Sequence, residues 1–382
     1  MQILLFSLIS LSNSFLAYKL LLSLRKYRIR EVKNLVDAGP RDLPSASVLI
    51  PARNEQIAMR SCLEMVLASD YPKLEVIVLD DNSVDNTSDE IKRFAHAGVR
   101  FVSGEKPPEG WLGRNSAYDR LSTEASGDLL LFLSVDTKIK PKTISKMVNF
   151  MIDNQTKMLS VLPSRSDNYR FSVLFSTLRY YLELILARVS SPPSSSGIWM
   201  IDRIVLTEEL GGLHHYRQAV MPEAEIAKDL AAKDGGLFEI EKPQYQFLID
   251  EQKLGVDFEK RWSSQIQTEQ RNFALNILKQ PVIILPVLII FGLHLLPFLM
   301  TIVKFLLTDF GPDFWFYLAQ AGISMLIYAC YTSIVWSRGW WLSFLLYPLV
   351  IIQESMIFLS SIYHRFFGKM IWRGREINFR KF

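Results

Sequence analysis

The sequence predicts a mostly parallel, doubly wound α/β domain that is flanked by apolar transmembrane helices. Three short apolar runs, 47–51, 74–79 and 129–133, end abruptly in acidic, amide or hydroxyl residues. Such ends are typical of strands in open parallel sheets, where ligands bind at the carboxyl ends. Hydrophobic residues make up 49% of the 382 residues, and the excess over a soluble domain lies towards the two ends of the chain.

Strand and helix patterns alternate from Ser47 onward. We predict strands over 47–51, 74–80, 99–102, 128–133 and 158–162, and helices over 56–68, 87–96, 114–125 and 141–153. The run Leu129–Leu133 is apolar at every position, which indicates a sheet that is covered on both faces. A sheet of this kind is parallel and doubly wound.

The N-terminal residues 1–24 predict an uncleaved transmembrane anchor, because they are apolar enough to span a bilayer and no small-residue cleavage pattern follows. The basic juxtamembrane linker 25–44 begins with a cluster of Lys and Arg. The positive-inside rule therefore places the linker and the domain 45–265 on the cytoplasmic side. The net charge of +4 is small and is assigned to contacts with the lipid bilayer, so no nucleic acid partner is implied.

The C-terminal region 266–366 predicts about three further spans, over about 282–306, 314–336 and 340–362, and is followed by the basic tail 367–382. The protein is thus expected to be a multi-pass cell membrane protein. Three spans would place the basic tail outside, against the charge rule. Three explanations stay open: the stretch around Pro348 is re-entrant or interfacial, residues 274–306 form a shallow hairpin, or the charge rule does not hold here.

Residues 170–189 predict a long helix rich in Phe, Tyr and Leu, followed by the Ser- and Pro-rich segment 190–197. Two interpretations stay open, a core helix with a flexible loop or a membrane-facing helix beside a mobile gate. The two cysteines, Cys62 and Cys330, form no disulfide or metal pattern, which suits a reducing compartment.

The motifs Pro51-Ala-Arg-Asn-Glu55 and Asp80-Asp81-Asn-Ser-Val-Asp-Asn-Thr87 together resemble the opening signature of family 2 glycosyltransferases of the GT-A fold. The resemblance covers about 45–240. It is closest to the membrane-anchored subgroup that glycosylates lipids, which includes the carotenoid-type and hopanoid-associated enzymes and, more distantly, ceramide glucosyltransferases.

This resemblance implies that Pro51, Arg53 and Glu55 line the uridine pocket. It also implies that Asp81 accepts the imide proton of uracil, as an ionised carboxylate can. In a purely structural interpretation, the acidic and amide residues at Asp80 and Asp81 only start a turn and cap a helix.

The segment Gly110-Trp-Leu-Gly-Arg114-Asn-Ser-Ala117 resembles the Gly-Trp-x-Gly-Lys segment of the same subgroup. The resemblance implies that Arg114, at a helix start, binds the diphosphate of the donor. The family's metal motif Asp-x-Asp is Ser134-Val-Asp136 here, so Asp136 is the implied ligand of Mg²⁺ or Mn²⁺ and Ser134 a hydrogen-bonding neighbour. The loss of one carboxylate leaves the metal dependence open, and Asp136 also fits an ordinary helix cap.

An inverting transfer needs a base that removes the proton of the acceptor. The family places a Glu-Asp pair beyond a Gly-Gly turn, and alignment puts Pro222 and Glu223 at that pair. Glu223 is therefore the candidate base, with Glu225 as the alternative if the alignment shifts by two residues. The same Pro-Glu-x-Glu pattern also fits an ordinary helix start.

Together these motifs predict an inverting glycosyltransferase that moves a hexose from a UDP-sugar donor to a hydroxyl or carboxylate of a membrane lipid acceptor. The first alternative is a degenerate, non-catalytic membrane scaffold that binds nucleotide or lipid, as Ser134 and Pro222 at acidic positions indicate. The second is a polysaccharide synthase, which resembles a longer design with an intact Gln-x-x-Arg-Trp motif, whereas Phe258 replaces that Gln here. Trp262 is read as an interfacial anchor or an acceptor-channel contact. His214 and His215 lack metal-ligand spacing and suit a loop or acceptor-site role.

Overall fold

The computed structural model describes residues 2–28, 43–165, 179–234, 243–251, 253–259, 261–336, 339–367, 370–372 and 375–377. Most of the predicted linker 25–44, the first half of the predicted helix 170–189 and much of the tail 367–382 lie outside the described residues. Contacts divide the chain into two compact units. The α/β unit comprises Tyr27–Ser166 and Ala187–Glu259, and the helical unit comprises Met1–Lys26, Asp167–Leu186 and Lys260–Phe382.

The predicted alternation of strands and helices is present in the α/β unit. The N-terminal helix of the chain, α1, is Gln2–Tyr27. The alternating elements are then β1 (Ala46–Ala52), α2 (Gln56–Leu67), β2 (Leu74–Asp80), α3 (Thr87–Lys92), β3 (Val99–Ser103), α4 (Gly113–Glu124), β4 (Leu129–Leu133), β5 (Thr137–Ile139), α5 (Thr143–Asn154), β6 (Met158–Leu162) and β7 (Ser164–Arg165). Helix α3 is shorter than predicted, because a 3₁₀ turn over Ala95–Ala97 and the left-handed Gly98, at φ 87°, end it.

The later elements are α6 (Arg179–Leu186), β8 (Ile198–Asp202), α7 (Pro222–Lys233), β9 (Tyr245–Ile249) and β10 (Val256–Phe258). The main sheet has seven strands in the order β3-β2-β1-β4-β8-β6-β9. Its first four strands are parallel, β8 runs antiparallel to both β4 and β6, and β9 is parallel to β6. The predicted α/β class with a mostly parallel sheet is confirmed, and β8 and β9 are the two strands of this sheet that the sequence pattern did not predict.

A second, three-stranded sheet joins β5, β10 and β7. Strand β10 pairs antiparallel with β5 and parallel with β7. The amide of Glu259, just after β10, donates to the carbonyl of Asp136 at 3.0 Å. This sheet therefore holds the chain that leaves β4 at its carboxyl end.

The Ser- and Pro-rich segment 190–197 is packed against the sheet. The amide of Ser195 donates to Oγ of Ser160 in β6 at 2.7 Å, and the hydroxyl of Tyr245 donates to the carbonyl of Pro193 at 2.6 Å. Ser195 is fully buried. Both interpretations that made this segment mobile, the flexible loop and the gate, are therefore corrected, because its backbone is hydrogen-bonded inside the unit.

The helical unit contains the remaining long helices, α8 (Trp262–Lys279), α9 (Ile284–Leu306), α10 (Pro312–Val335) and α11 (Trp340–Phe367), and the short strands β11 (Met370–Trp372) and β12 (Arg375–Ile377). Four helices in the described part of the chain are long and apolar enough to cross a membrane: Gln2–Tyr27, Pro281–Leu306, Pro312–Val335 and Trp340–Phe367. These agree with the predicted anchor and the three predicted C-terminal spans, and they support association with a membrane. The C-terminal part of the helical unit begins at Lys260, whereas the predicted boundary between the α/β domain and the C-terminal spans is 265/266.

Helix α11 decides one of the open questions of topology. It continues without a break through Pro348, so the stretch around this residue is not re-entrant. Residues 274–306 are divided by a 3₁₀ turn at Pro281–Ile283, after which α9 runs as one helix, so they form no shallow hairpin. An interfacial position of this stretch and a departure from the charge rule stay predictions.

A buried polar cluster joins α1 to α10 within the helical unit. The side-chain amide of Asn13 donates to the side-chain oxygen of Gln320 at 2.9 Å, and the hydroxyl of Ser324 donates to Asn13 at 2.9 Å. Gln320 in turn donates to Ser10 at 3.1 Å. Small and polar side chains are the usual contacts between membrane helices, since apolar surface gains little by leaving lipid. The N-terminal helix is therefore part of a bundle.

Replacing Asn13 with alanine is expected to lower the stability of the helical unit by about 1 kcal/mol, because Gln320 and Ser324 lose their partner in an apolar environment. The measurement is thermal unfolding of the full-length protein in detergent. Leu11→Ala is the matched control, because Leu11 is 68% exposed on the same helix. An unchanged melting temperature for Asn13→Ala would show that the cluster does not stabilise the bundle.

Candidate active site

The loops that follow β1 and β2 are hydrogen-bonded to each other at the carboxyl edge of the sheet. The amide of Asp81 donates to the carbonyl of Ala52 at 2.7 Å, and the guanidinium of Arg53 donates to the carbonyls of Asp81 and Asn82. Asn54 and Asn82 both adopt the left-handed conformation, at φ 54° and 52°, which amide side chains tolerate. The two motifs of the opening signature therefore form one structure.

Predicted nucleotide-pocket residues occupy this double loop. Pro51 lies near the end of β1, and Arg53 lies just after it and supports the turn that carries Asp81. Glu55 precedes α2, and its amide donates to the hydroxyl of Thr87 at the start of α3 at 2.8 Å. All three are partly buried. Their proposed contacts with uridine stay predictions.

The two aspartates after β2 have different environments. The carboxylate of Asp80 accepts the hydroxyls of Ser83 and Ser88 and the amide of Ser83, so it holds the turn and the start of α3. Asp81, one residue later, is only 7% exposed. Gly104 packs against this turn so closely that a Cβ there would lie 2.6 Å from the carbonyl oxygen of Asp80. The structural interpretation of the pair, a turn and a helix start held by an acidic side chain, thus describes Asp80.

The register of the sheet places Asp81 and Asp136 at the same edge. Ala52 of β1 pairs with Asp80 of β2, and Leu49 of β1 pairs with Phe132 of β4. Asp81 directly follows β2, and Asp136 lies three residues after the end of β4, so both lie at the carboxyl edge of the sheet. Strands β2 and β4 flank β1, and this separates the two chains by about 10 Å. That is a suitable distance for one nucleotide-sized ligand to reach both.

The predicted metal residues follow β4. The amide of Ser134 donates to the carbonyl of Gly197 at 2.8 Å, and the hydroxyl of Thr137 donates to the same carbonyl at 3.0 Å. Ser134 and Asp136 are partly buried. Burial raises the pKa of the Cys62 thiol in α2 to about 12, and the nearby negative charge of Asp136 adds to this shift.

These residues fit a divalent cation only in part. No group of three or more His, Cys, Asp or Glu in the described ranges is arranged to hold a metal ion. Asp136 and Ser134 offer hard oxygen ligands of the kind that Mg²⁺ and Mn²⁺ prefer. A cation at this place would therefore depend on oxygen atoms of a bound diphosphate for most of its ligands.

The segment around Arg114 forms the start of α4, one residue earlier than predicted. The Arg114 guanidinium donates to the hydroxyl of Tyr118, with Nε to Oη at 3.1 Å, and to the carbonyl of Ser196 at 3.2 Å. Burial raises the pKa of Tyr118, and the charge of Arg114 opposes this shift. Arg114 is therefore a cation whose position is set by hydrogen bonds at the amino end of a helix, and this arrangement suits the binding of phosphate.

Asn115 connects this helix start to the segment that leads to α7. Its buried side-chain amide donates to the carbonyls of Tyr216, Arg217 and Ala219 at 2.8, 3.1 and 2.9 Å. The amide of Leu112 also donates to the carbonyl of Arg217, at 3.0 Å. Two motifs about a hundred residues apart in the sequence are thereby brought together.

Glu223, the second residue of α7, is the buried carboxylate of the site. It is 0% exposed, and neither of its oxygens has a hydrogen-bond partner within the described structure. The nearest cation is Arg114, whose Nη2 lies 3.8 Å from Oε2 of Glu223. A buried ionised carboxylate without hydrogen bonds costs several kcal/mol of stability, and such groups are concentrated at functional sites. The two carboxylate oxygens of Glu223 are therefore available to bind a ligand.

The structure separates the two candidates for the base by their environment. Glu225 is exposed, and its carboxylate lies 3.8 Å from the ammonium group of Lys228 on the solvent side of α7. Glu223 points into the protein towards Arg114. The assignment of either residue as base stays a prediction, but the site contains Glu223 and not Glu225.

Sequence reasoning missed Tyr118, Asn115 and Ser196 as parts of the site. The spacing of Arg114 and Tyr118, four residues apart on a helix, was a usable signal, since such pairs share a face. Ser196 contributes only its carbonyl, which no residue pattern reveals. Asn115 acts through backbone groups of a distant segment, and these contacts appear only after folding.

Comparison with known proteins supports the motifs. Residues 47–208 match the sequence model of the family described as "Glycosyl transferase family 2". The Bacillus subtilis protein named "Probable glycosyltransferase YdaM" is 32% identical over 119 residues, which are 30% of this chain and 28% of that protein. The "GalNAc(5)-diNAcBac-PP-undecaprenol beta-1,3-glucosyltransferase" of Campylobacter jejuni is 26% identical over 109 residues, 28% of this chain and 34% of its own length. The chain thus spans about a third of the length of these relatives.

A solved structure shares the fold. The mannosyltransferase PcManGT of Pyrobaculum calidifontis, in complex with GDP-Man and Mn²⁺, superimposes with a TM-score of 0.53 at 16% identity, over 95% of this chain and 98% of its own. At this identity the likeness concerns the fold alone. It agrees with the predicted GT-A architecture. Residues 47–208 of this chain thus match family 2 glycosyltransferases in sequence, and the shared fold agrees with this match.

Proposed function

We propose that the chain is a membrane-associated, inverting glycosyltransferase that moves a hexose from a UDP-sugar to a lipid acceptor on the cytoplasmic side. The observation that carries the proposal is Glu223, a fully buried carboxylate without hydrogen bonds, 3.8 Å from Arg114. A base and a phosphate-binding cation are the two groups that sugar transfer from a nucleotide needs in one site.

The donor would bind along the carboxyl edge of the sheet. Uridine is assigned to the double loop of Pro51, Arg53, Glu55 and Asp81, and the diphosphate to the end of β4 and the start of α4. A divalent cation held at Asp136, when bound, would neutralise charge on the diphosphate. Arg114 would stabilise the negative charge that develops on the leaving oxygen.

The acceptor would reach Glu223 from the face opposite the diphosphate. Glu223 takes the proton of the acceptor hydroxyl as its oxygen bonds to the anomeric carbon. The bond from this carbon to the diphosphate oxygen breaks, and UDP leaves with the electron pair. The configuration at the anomeric carbon is inverted because attack and departure occur on opposite faces.

A lipid acceptor is supported by two observations. The chain has four helices long and apolar enough to cross a membrane, so an acceptor in the bilayer would be concentrated at its surface. The Campylobacter relative carries undecaprenol, a lipid, in the name of its acceptor.

The basic residues after α1 support the cytoplasmic side. One of them, Arg28, also pairs with Glu251 inside the α/β unit.

The experiment is an activity measurement on the purified full-length protein in lipid nanodiscs. It is incubated with each radiolabelled UDP-sugar and a membrane lipid extract, with Mg²⁺ or Mn²⁺, and label is sought in the organic phase. Labelled lipid together with free UDP is expected. UDP binding without transfer from any sugar would favour the non-catalytic scaffold, and label in a water-soluble polymer would favour the polysaccharide synthase.

Asp81→Ala is expected to raise the apparent KM for the UDP-sugar by about tenfold to a hundredfold, since a charge-assisted hydrogen bond contributes about 1.5–3 kcal/mol. The effect on kcat should be small, because the backbone bonds of Asp81 to Ala52 and Arg53 remain. Asp80→Asn is the contrast, and it should lower the melting temperature because Asp80 holds Ser83 and Ser88. Equal donor KM values for Asp81→Ala and wild type would remove Asp81 from the uridine pocket.

A further inference from the structure

A second guanidinium, that of Arg217, lies beside the proposed site and takes no part in the steps above. The backbone of Arg217 is held in place, because its carbonyl accepts hydrogen bonds from the amide of Leu112 at 3.0 Å and from the side-chain amide of Asn115 at 3.1 Å. These two residues lie on either side of Arg114 along the chain. Arg217 also lies six residues before Glu223 in the segment that leads into α7. The segment that contains Arg217 and leads to Glu223 is therefore hydrogen-bonded to the helix start that contains Arg114.

The Arg217 side chain has no carboxylate partner within the described residues. Its Nη1 lies 3.4 Å from Nε2 of His214 and donates to the His214 carbonyl at 3.4 Å, which is at the limit of a hydrogen bond. The ring of His214 in turn meets the ring of Trp111 edge to face, with centroids 5.6 Å apart. Asp119 is the carboxylate near this group. Burial raises the pKa of Asp119, and the charge of His214 opposes the shift.

Arg217 thus forms no ion pair within the described residues, and the carboxylate of Asp119 interacts with His214 instead. Arg217 is partly exposed, so a ligand can reach it, whereas Arg114 is already engaged with Tyr118, Ser196 and Glu223. A guanidinium binds carboxylate and phosphate through two parallel hydrogen bonds, and this geometry makes it selective for such groups. Aromatic Trp111 beside it supplies an apolar surface for the adjoining part of a ligand.

We infer that Arg217, with His214 and Trp111, binds an oxyanion of the acceptor, so that the acceptor is an anionic lipid and not a neutral one. The inference rests on the proposed function, because it assigns the acceptor side of the same site. The donor diphosphate is accounted for by Arg114 and Asp136. The acceptor oxygen must reach Glu223, and the backbone of Arg217 is hydrogen-bonded to Leu112 and Asn115, on either side of the Arg114 that lies 3.8 Å from Glu223.

The oxyanion has two chemical sources, a lipid phosphate and a lipid carboxylate, which share the recognition by a guanidinium. A neutral acceptor would leave Arg217 as unpaired as it is in the free protein, and no binding energy would be gained there. The preference for anionic over neutral acceptors should therefore depend on Arg217. Trp111 should affect both classes in the same way, since it is assigned to the apolar part of the ligand next to the oxyanion.

The test uses three soluble probes with the same ten-carbon chain: decyl phosphate, decanoate and decanol. Binding to the full-length protein in detergent with UDP present is measured by calorimetry. We expect at least one of the two anionic probes to bind the wild type about tenfold or more tightly than decanol, and this advantage to disappear in Arg217→Ala. Arg217→Lys should retain part of this advantage, because lysine keeps the positive charge but cannot form the two parallel hydrogen bonds of a guanidinium. Arg120→Ala is the control, since Arg120 pairs with Glu124 on the exposed side of α4.

Transfer assays supply the second readout. Arg217→Ala should raise the KM for the acceptor about tenfold or more and leave the KM for the UDP-sugar and the melting temperature unchanged. Equal binding of decanol and both anions by the wild type would overturn the inference, and so would a change confined to the donor KM, which would assign Arg217 to the diphosphate. Absence of transfer from every UDP-sugar would instead contradict the proposed function. The binding measurement with the three probes would still decide whether Arg217 binds an oxyanion.

Discussion

Glu223→Gln is expected to lower kcat for sugar transfer by roughly a thousandfold, within the range that a positioned general base contributes. The amide has the shape of the carboxylate but cannot accept the acceptor proton. Release of UDP from a purified nanodisc preparation, measured at saturating donor and acceptor, gives kcat directly. The KM for the UDP-sugar should change little, because Glu223 is assigned to the acceptor side.

The matched control is Glu225→Gln, two residues along the same helix. Glu225 is exposed and pairs only weakly with Lys228, so its variant should keep wild-type turnover. The melting temperature separates loss of chemistry from loss of fold: Glu223→Gln removes a buried charge that lacks hydrogen bonds, so it should be as stable as wild type or more so. Near-normal turnover of Glu223→Gln with loss in Glu225→Gln would move the base to Glu225.

Asp136→Ala is expected to reduce transfer about a hundredfold or more, because the cation that neutralises the leaving diphosphate would lose its carboxylate ligand. Turnover is measured against the concentration of Mn²⁺ or Mg²⁺. The variant should no longer respond to metal within the range that saturates wild type. If transfer by wild type continues at full rate in excess chelator, or if Asp136→Ala retains a normal metal response, Asp136 is not the ligand.

Ser134→Asp provides a gain-of-affinity counterpart. It restores the first carboxylate of the family's metal motif, and the hydrogen bonds of Ser134 to Gly197 and Thr137 use its backbone, so they survive the change. A second carboxylate should lower the metal concentration needed for half-maximal activity. Ser134→Ala serves as control and should leave this concentration close to that of wild type.

The sheet could be predicted well where the signal is local. Strands β1, β2 and β4 are continuous apolar runs that end in polar residues, and buried parallel strands require this composition. The four apolar spans were equally evident, since crossing a bilayer demands about twenty apolar residues in a row. Strand β8 escaped prediction because its place between β4 and β6 depends on pairing with strands distant in sequence.

The sequence supplied candidate residues for the site but not their arrangement. The strand-end positions of Asp81 and Asp136 followed from the pattern of the parallel sheet. Sequence left Glu223 and Glu225 as alternatives, since both are charged residues in the first turn of one helix. Only folding distinguishes them, because a rotation of about 200° between residues two apart turns one side chain towards Arg114 and the other towards solvent.

By itself the sequence determined the class of fold, the membrane helices and the family to which the catalytic domain belongs. These properties follow from short-range composition, which the chain carries whether or not it is folded. The tertiary structure alone decided that the Ser- and Pro-rich segment is packed, that Arg114 and Glu223 lie 3.8 Å apart, and that Asn115 joins their two segments. Such contacts join residues about a hundred positions apart, and no local pattern encodes their distance.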